Sequence, residues 1–392
     1  MLPSFDMQTG WDDFVENLSD NLPIAADITV TVGSGGDYPT INAALEALSR
    51  KYPLYKKEGH TVEISLLSGF IMQEQVLLRG VDLSYITISS VSAEVVIDRE
   101  YLTENFRASA FPAFAGDNSS KLPIINTLFN MNTTGDAAGR DAFGLWDAST
   151  LVIKGNKGIK NAGGNGVYLS HASLLNADRA IIIDSGNHNI FAAEGATANA
   201  DKCQLKGAGA SALRANRNAR IFAGAEDGSA LQKDTTDCGD IAIHALNNSI
   251  IEAAGRDVSG CVGAAATAIS GSIINFEGGK CDGGPQDGVV AARGSIVNAD
   301  GVELNDIARY AIYALRASRI NAQGAAVTNT GNQDMYARGA SSINAVGGSY
   351  DKGAAALEGG IVSIHGATLG ASFATTITIN TLAHQGIIFG TV

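Results

Sequence analysis

The sequence predicts an all-β fold of one kind, a single-stranded right-handed parallel β-helix wound in 23-residue rungs. Three observations carry this. A short pattern recurs at a fixed interval, apolar residues alternate within each copy, and a glycine closes most copies. The pattern is plainest in SIVNADG (295–301), SRINAQG (318–324) and SSINAVG (341–347).

The copies align on Thr150, Ser173, Ala196, Ala219, Ser249, Ser272, Ser295, Ser318, Ser341 and Gly360. The steps between successive anchors are 23, 23, 23, 30, 23, 23, 23, 23 and 19. Two positions after each anchor stands an apolar side chain, from Val152 and Leu175 to Ile343 and Val362. Four after, the residue is apolar in every copy but the first, where Lys154 stands. Period two is the strand signature, with alternate residues facing in and out. In seven of the copies the residue between them is Asn176, Asn199, Glu252, Asn275, Asn298, Asn321 or Asn344, which predicts an outward amide ladder. Six after the anchor, Gly255, Gly278, Gly301, Gly324, Gly347 and Gly366 mark a turn that needs positive φ. Apolar positions nine after the anchor (Ile159 to Leu369) and six before it (Val167 to Met335) supply two further strands. Three strands in each repeat make one rung of a solenoid, buried only against its neighbours. At roughly 4.8 Å per rung, the nine steps span on the order of 40 Å.

The N-terminal third keeps a looser rhythm. Residues 28–52 read as strand, glycine turn and helix. Ile41, Ala44, Leu45 and Leu48 lie on one helical face behind Thr40 as N-cap. That helix suits the open apolar end of a solenoid. Three alternating strands follow in 60–90. Residues 100–147 interrupt the rungs, and 104–123 read as a long loop exposing Phe106, Phe111 and Phe114. The expected organisation is an N-terminal segment (1–27) and a β-helix domain (28–392). The domain divides into strand and cap (28–59), irregular loops (100–147), regular rungs (148–370) and C-terminal strands (371–392). In the first segment, Trp11, Phe14, Val15 and Leu18 form one apolar helical face opposite Asp12, Asp13 and Glu16.

Composition narrows the function. The chain has 392 residues, 46 Gly and a net charge of −13, and it contains no basic block. Nucleic acid is a poor partner for such a chain. No apolar run is long enough to insert in a membrane. The first residues are acidic and lack a signal-peptide pattern, so synthesis in a cytoplasm is expected. Four cysteines do not make a disulfide framework. Cys238 and Cys261 lie one 23-residue step apart and should stack on adjacent rungs as buried thiols.

The stretches SGGDYPTINAAL, TVEISLLSG, VLLRG and ITISS resemble the opening of pectin-lyase-like β-helix proteins, over roughly residues 28–370. That superfamily includes pectin methylesterases, polysaccharide lyases, and phage tailspikes and tail fibres. The resemblance to the spikes implies a homotrimer on a virion surface, synthesised in the host cytoplasm. It implies an N-terminal segment docked on another virion protein, with Trp11, Phe14, Val15 and Leu18 as the attachment face. It also implies adsorption to a host surface glycan. The alternatives are a polysaccharide depolymerase and a non-catalytic structural or decoration protein.

The methylesterase chemistry is not expected. The nearest match to that family's Asp-containing motif is GIIFG (386–390), with Gly386 in the aspartate's place. A lyase would need a base and commonly calcium. Asp234, Asp237 and Asp240 are the oxygen-ligand candidates, although such a loop is more often merely solvated, and no cofactor is expected. Arg214, Arg217 and Arg220 could meet an acidic sugar or only balance the acids. A glycosidase needs two carboxyl groups a few ångströms apart. Asp282 with Glu303 or Asp306, near Asp287, is the catalytic candidate, and Glu226 or Asp227 with Glu252 is a second pair. His171, His188, His244 and His365 are dispersed. Exposed aromatics for sugar stacking are sparse. Trp146 reads as inward, which leaves Tyr310, Tyr313 and Tyr336 as carbohydrate platforms.

Overall fold

The computed structural model describes residues 26–51, 59–107, 111–131, 139–225, 235–283, 286–377, 379–380 and 384–390. The proposed attachment face and the residues Asp234, Glu226 and Asp227 lie outside them. The described chain is the expected parallel β-helix. Its long sheet stacks 13 strands, from Val76–Arg79 to Ala374–Ile377. A second side carries four strands at the N-terminal end and 11 from Thr150–Val152 onward. The third side is two five-stranded sheets, one ending at Ile181–Ile183 and the other starting at Lys280–Asp282. Twelve steps of the long sheet span about 58 Å.

The interior is a narrow core of the small and branched residues read from the repeat. Leu175, Ile221, Ile274, Ile320 and Val362 are buried on the second side, and Val167, Ile243 and Ile312 on the long sheet. The corner glycines take positive φ, 72° at Gly255 and 68° at Gly324. The helix Ile41–Leu48 buries Ile41, Ala44, Leu45 and Leu48, and Thr40 Oγ1 accepts from Ala43 N at 3.1 Å. A second cap comes from far along the chain. Glu74 accepts from the backbone of Ile41 and Asn42 at 2.6 and 3.0 Å, satisfying two more of the free N–H groups at the helix start.

Four readings change. Thr150 pairs with Leu174, so the first anchor is Ser149. Leu151 and Ile153 then point inward, and Lys154 is not a core residue out of place. Segment 100–147 carries the strands Phe114–Asp117, Ile124–Asn126, Leu128–Asn130 and Phe143–Leu145. Phe106 and Phe114 are consequently buried, where exposure was expected, and Phe111 is half-buried. Trp146 is buried, but on the outside of the sheet. Leu145 takes the inward place, and the indole lies over Gly144, against Phe106.

The fourth change concerns the ladder. The asparagines do stack in register, Asn275 on Asn298 on Asn321 on Asn344. Among the described residues only one amide-to-amide bond joins them, Asn298 to Asn275 at 3.4 Å. The anchor serines form the continuous chain instead. The N–H groups of Ser249, Ser272, Ser295 and Ser318 each donate to the Oγ of the next anchor at 3.2 Å. The hydroxyls of Ser272, Ser295 and Ser341 donate to the carbonyl three residues back at 2.8 Å. Two consecutive left-handed residues precede these anchors, such as Asn247–Asn248, Arg293–Gly294 and Arg316–Ala317. The sharp turn aims each hydroxyl into the corner.

Where the third side breaks, the core holds a charge. Arg256 is wholly buried. It donates to the carbonyls of Cys203 at 2.6 Å and Ala200 at 3.1 Å, and also to that of Ala223. Those carbonyls lie beside the 30-residue step, where strand pairing on this side lapses, and the guanidinium supplies the missing donors. Cys238 and Cys261 are free and buried, and both thiols reach Thr235 O.

Candidate functional site

Strand alternation on the long sheet turns one residue per rung outward, five before the anchor. Register places Tyr168, Phe191, Arg214, His244, Thr267, Val290, Tyr313 and Tyr336 in one unbroken column. Six rungs separate Tyr168 from Tyr313, about 29 Å. An aromatic cluster stands at each end.

At the first end, Trp146 meets Phe106 at 5.6 Å and Tyr168 at 5.5 Å, and Tyr168 meets Phe191 edge-on at 5.3 Å. Trp146, Tyr168 and Phe191 wall an open cleft of about 790 Å3 with Asp141, Asn165 and Glu194. A Cβ on Gly144 would fall 2.4 Å from the Trp146 ring, so glycine is what lets the indole lie flat there. At the far end, Tyr310, Tyr313 and Tyr336 have ring centres 4.8–5.2 Å apart. The three tyrosines named from sequence are thus brought together. Arg309 sits 5.7 Å over Tyr310 and is held there by its ion pair to Asp287.

Polar groups occupy the middle. Arg214 lies 5.0 Å over the Phe191 ring, with Nη1 3.0 Å from His188 Nε2. His188 Nδ1 accepts from Ser211 N at 3.1 Å, and a neutral ring accepts at only one of its nitrogens. Burial, reinforced by the Arg214 charge, pushes His188 down to about 3 and His244 to about 4. Both are neutral at ordinary pH. Arg214 Nε, His244 Nε2 and Thr267 Oγ1 are buried and have no hydrogen-bond partner among the described residues, although they adjoin one another on successive rungs. Burial pushes the cleft carboxyl of Asp141 up to about 6, against hydrogen bonds from Asn165.

The acids named as catalytic lie on the third side. Asp282 takes a 2.6 Å bond from Asn305 and a 2.6 Å ion pair from Lys280. Burial raises its carboxyl, but these partners outweigh it and hold it below the usual range. Glu303 is paired in register with Lys280, and Asp306 accepts from Asn329. Each acid is one step of a polar ladder between rungs. In the cleft, Glu194 is engaged by Ser170, Arg217 and His171 at 2.7–3.0 Å. No group of three metal-binding side chains occurs among the described residues. No described helix is long and apolar enough to cross a membrane.

The sequence reading missed the column because its residues share a position and not a type. The signal was present in the spacing. One 23-residue step leads from Tyr168 to Phe191, another on to Arg214, and another from Tyr313 to Tyr336. The chain matches no protein-family model and no curated relative.

Proposed function

We propose that the protein is a rod-shaped adsorption protein that binds polysaccharide along the outward column of its long sheet. The observation that carries this is the column itself. Two aromatic clusters, about 29 Å apart on one flat face, offer stacking platforms for sugar rings, and polar groups line the path between them. Pyranose rings present apolar faces and polar edges, which suits this alternation.

The wider reading is a spike or fibre subunit of a phage or phage-like virion, of the pectin-lyase-like kind. It would be made in the host cytoplasm, carried on the virion surface by residues 1–27 and assembled as a homotrimer. The resemblance of the opening strands supports it. On the second sheet one outward row carries exposed Ile273 and Ile296, then Arg319 and Ser342, then exposed Ile361, a mixed surface open to neighbouring copies. Light scattering tests the trimer, and a 40.4 kDa particle contradicts it. Deletion of residues 1–27 should spare folding and abolish incorporation into particles.

One observation favours a depolymerase as the second reading. Asp141 is a carboxyl that stays partly protonated near pH 6 in a cleft walled by aromatic rings. Incubation with purified capsule polysaccharides separates the readings. Retention without a change in product size supports adsorption, shortened product supports the depolymerase, and neither outcome leaves the structural protein.

A further inference from the structure

We propose that Arg214 anchors an anionic group of the bound polysaccharide, a carboxylate, sulfate or phosphate on the sugar chain. The inference rests on the glycan reading above and names the class of glycan.

Most arginines on the long sheet face and its corners are either neutralised by acids or open to water. Arg107 pairs with Asp117 and Asp147, Arg217 with Glu194, Arg309 with Asp287, and Arg338 with Glu358. Arg79, Arg293 and Arg316 are exposed. Arg214 lies in the same face and is half-buried, yet no carboxylate among the described residues comes within ion-pair distance. Its neighbours are an aromatic ring and two imidazoles, which burial keeps neutral, in His244 against the opposing pull of Asp240. A half-desolvated guanidinium without a counter-ion is costly, and a bound anion would relieve that cost.

Placement comes next. Arg214 stands one rung from Phe191 and two from Tyr168. A sugar stacked on the first cluster would therefore bring its neighbour's substituents to the guanidinium. Stacking on Phe191 fixes the plane of the fork, and a planar fork recognises carboxylate, sulfate or phosphate better than an ammonium does. On the next two rungs His244 Nε2 and Thr267 Oγ1 are buried and have no hydrogen-bond partner among the described residues. The acids of the adjoining cleft oppose the anion little. Glu194 is already triply engaged, and Asp141 is protonated in part. With a net charge of −13 the chain as a whole repels a polyanion, so binding one needs a local cation.

The test is binding of the full chain to linear polysaccharides bearing uronate, sialate, sulfate or phosphate. Each is paired with its carboxyl-reduced, desulfated or dephosphorylated form. The wild type should bind at least one anionic member about tenfold tighter than its neutral form, the worth of one charge-assisted hydrogen bond. Arg214→Gln should erase that preference, Arg214→Lys should restore only part of it, and Tyr168→Ala should weaken both forms alike. Circular dichroism and Tm confirm folding of each variant, and the lysine variant serves if the glutamine variant does not fold. Preference for neutral forms, or an unchanged preference in Arg214→Gln, overturns the anchor and leaves the glycan reading standing. Failure to bind any member overturns both.

Discussion

The outer faces of the second sheet and the long sheet are built on the same rungs and differ in one respect. On the second sheet, the outward row writes asparagine on four rungs in succession, Asn275 to Asn344. On the long sheet, the outward column writes Tyr, Phe, Arg, His, Thr and Val before it returns to Tyr. A solenoid asks the same backbone of every rung, so a repeated side chain reports what stacking requires. A column that varies on an invariant backbone reports something outside the stack. Under the proposed function, the long sheet carries recognition and the second sheet carries architecture or assembly.

The largest expected effect lies where the interior itself leaves the rhythm. Arg256→Ala removes a buried donor from each of three carbonyls, of which Ala200 O keeps its bond from Cys203 N, and leaves a void, at a cost of about 4 kcal/mol. Thermal unfolding should show a markedly lower Tm, and an unchanged Tm would mean that the guanidinium does not hold the break. Next comes the serine corner. Ser295→Ala removes the acceptor for Ser272 N and the donor to Ala292 O, at a cost of about 1–2 kcal/mol.

Acid response separates the two faces further. His188 faces Arg214, His244, Phe191 and the Ser211 backbone, and is held neutral when folded. The unfolded chain takes up its protons near the ordinary value of 6.5, so stability falls as pH drops from there toward about 4. Asp141 acts in the opposite sense. Its raised value makes the folded state bind the extra proton between about 4 and 6, which stabilises on acidification. Two histidines against one carboxyl leave a net loss. His188→Gln should flatten the fall of Tm between pH 6.5 and 4, and Asp141→Asn should steepen it. The smallest effect belongs to the asparagine row. Asn298→Ala removes one long, half-buried hydrogen bond and should cost about 0.5 kcal/mol or less. A cost as large as that of Ser295→Ala would erase the distinction between the buried and exposed ladders.

Much of this architecture is legible in the letters. The 23-residue period, the inward apolar positions, the glycine corners and the Thr40 cap all follow from rules that act locally and repeat. The serine ladder was half legible. Serine stood at most anchors, but its role depends on the paired left-handed residues before it, and those are filled by Asn, Arg, Ala, Ser and Gly alike. The register of the first rung was lost because a 24-residue step separates Ser149 from Ser173. Trp146 was misassigned with it, since one residue of slip exchanges inside for outside. The tyrosine cluster was found by residue type. Arg214 was named only with Arg217 and Arg220 as a group that could meet an acidic sugar, and the Trp146–Tyr168–Phe191 wall was not found, because a column that varies carries no repeat.

Central to the account is the claim that the varied column, and not the repeated row, meets the ligand. The direct test compares two double variants, Tyr168→Ala with Tyr313→Ala and Asn298→Ala with Asn321→Ala, on the same immobilised polysaccharide panel. The account predicts that the tyrosine pair loses about tenfold or more in affinity with its Tm little changed, while the asparagine pair binds as the wild type does. Wild-type affinity in the tyrosine pair, or an equal loss in both, would contradict it.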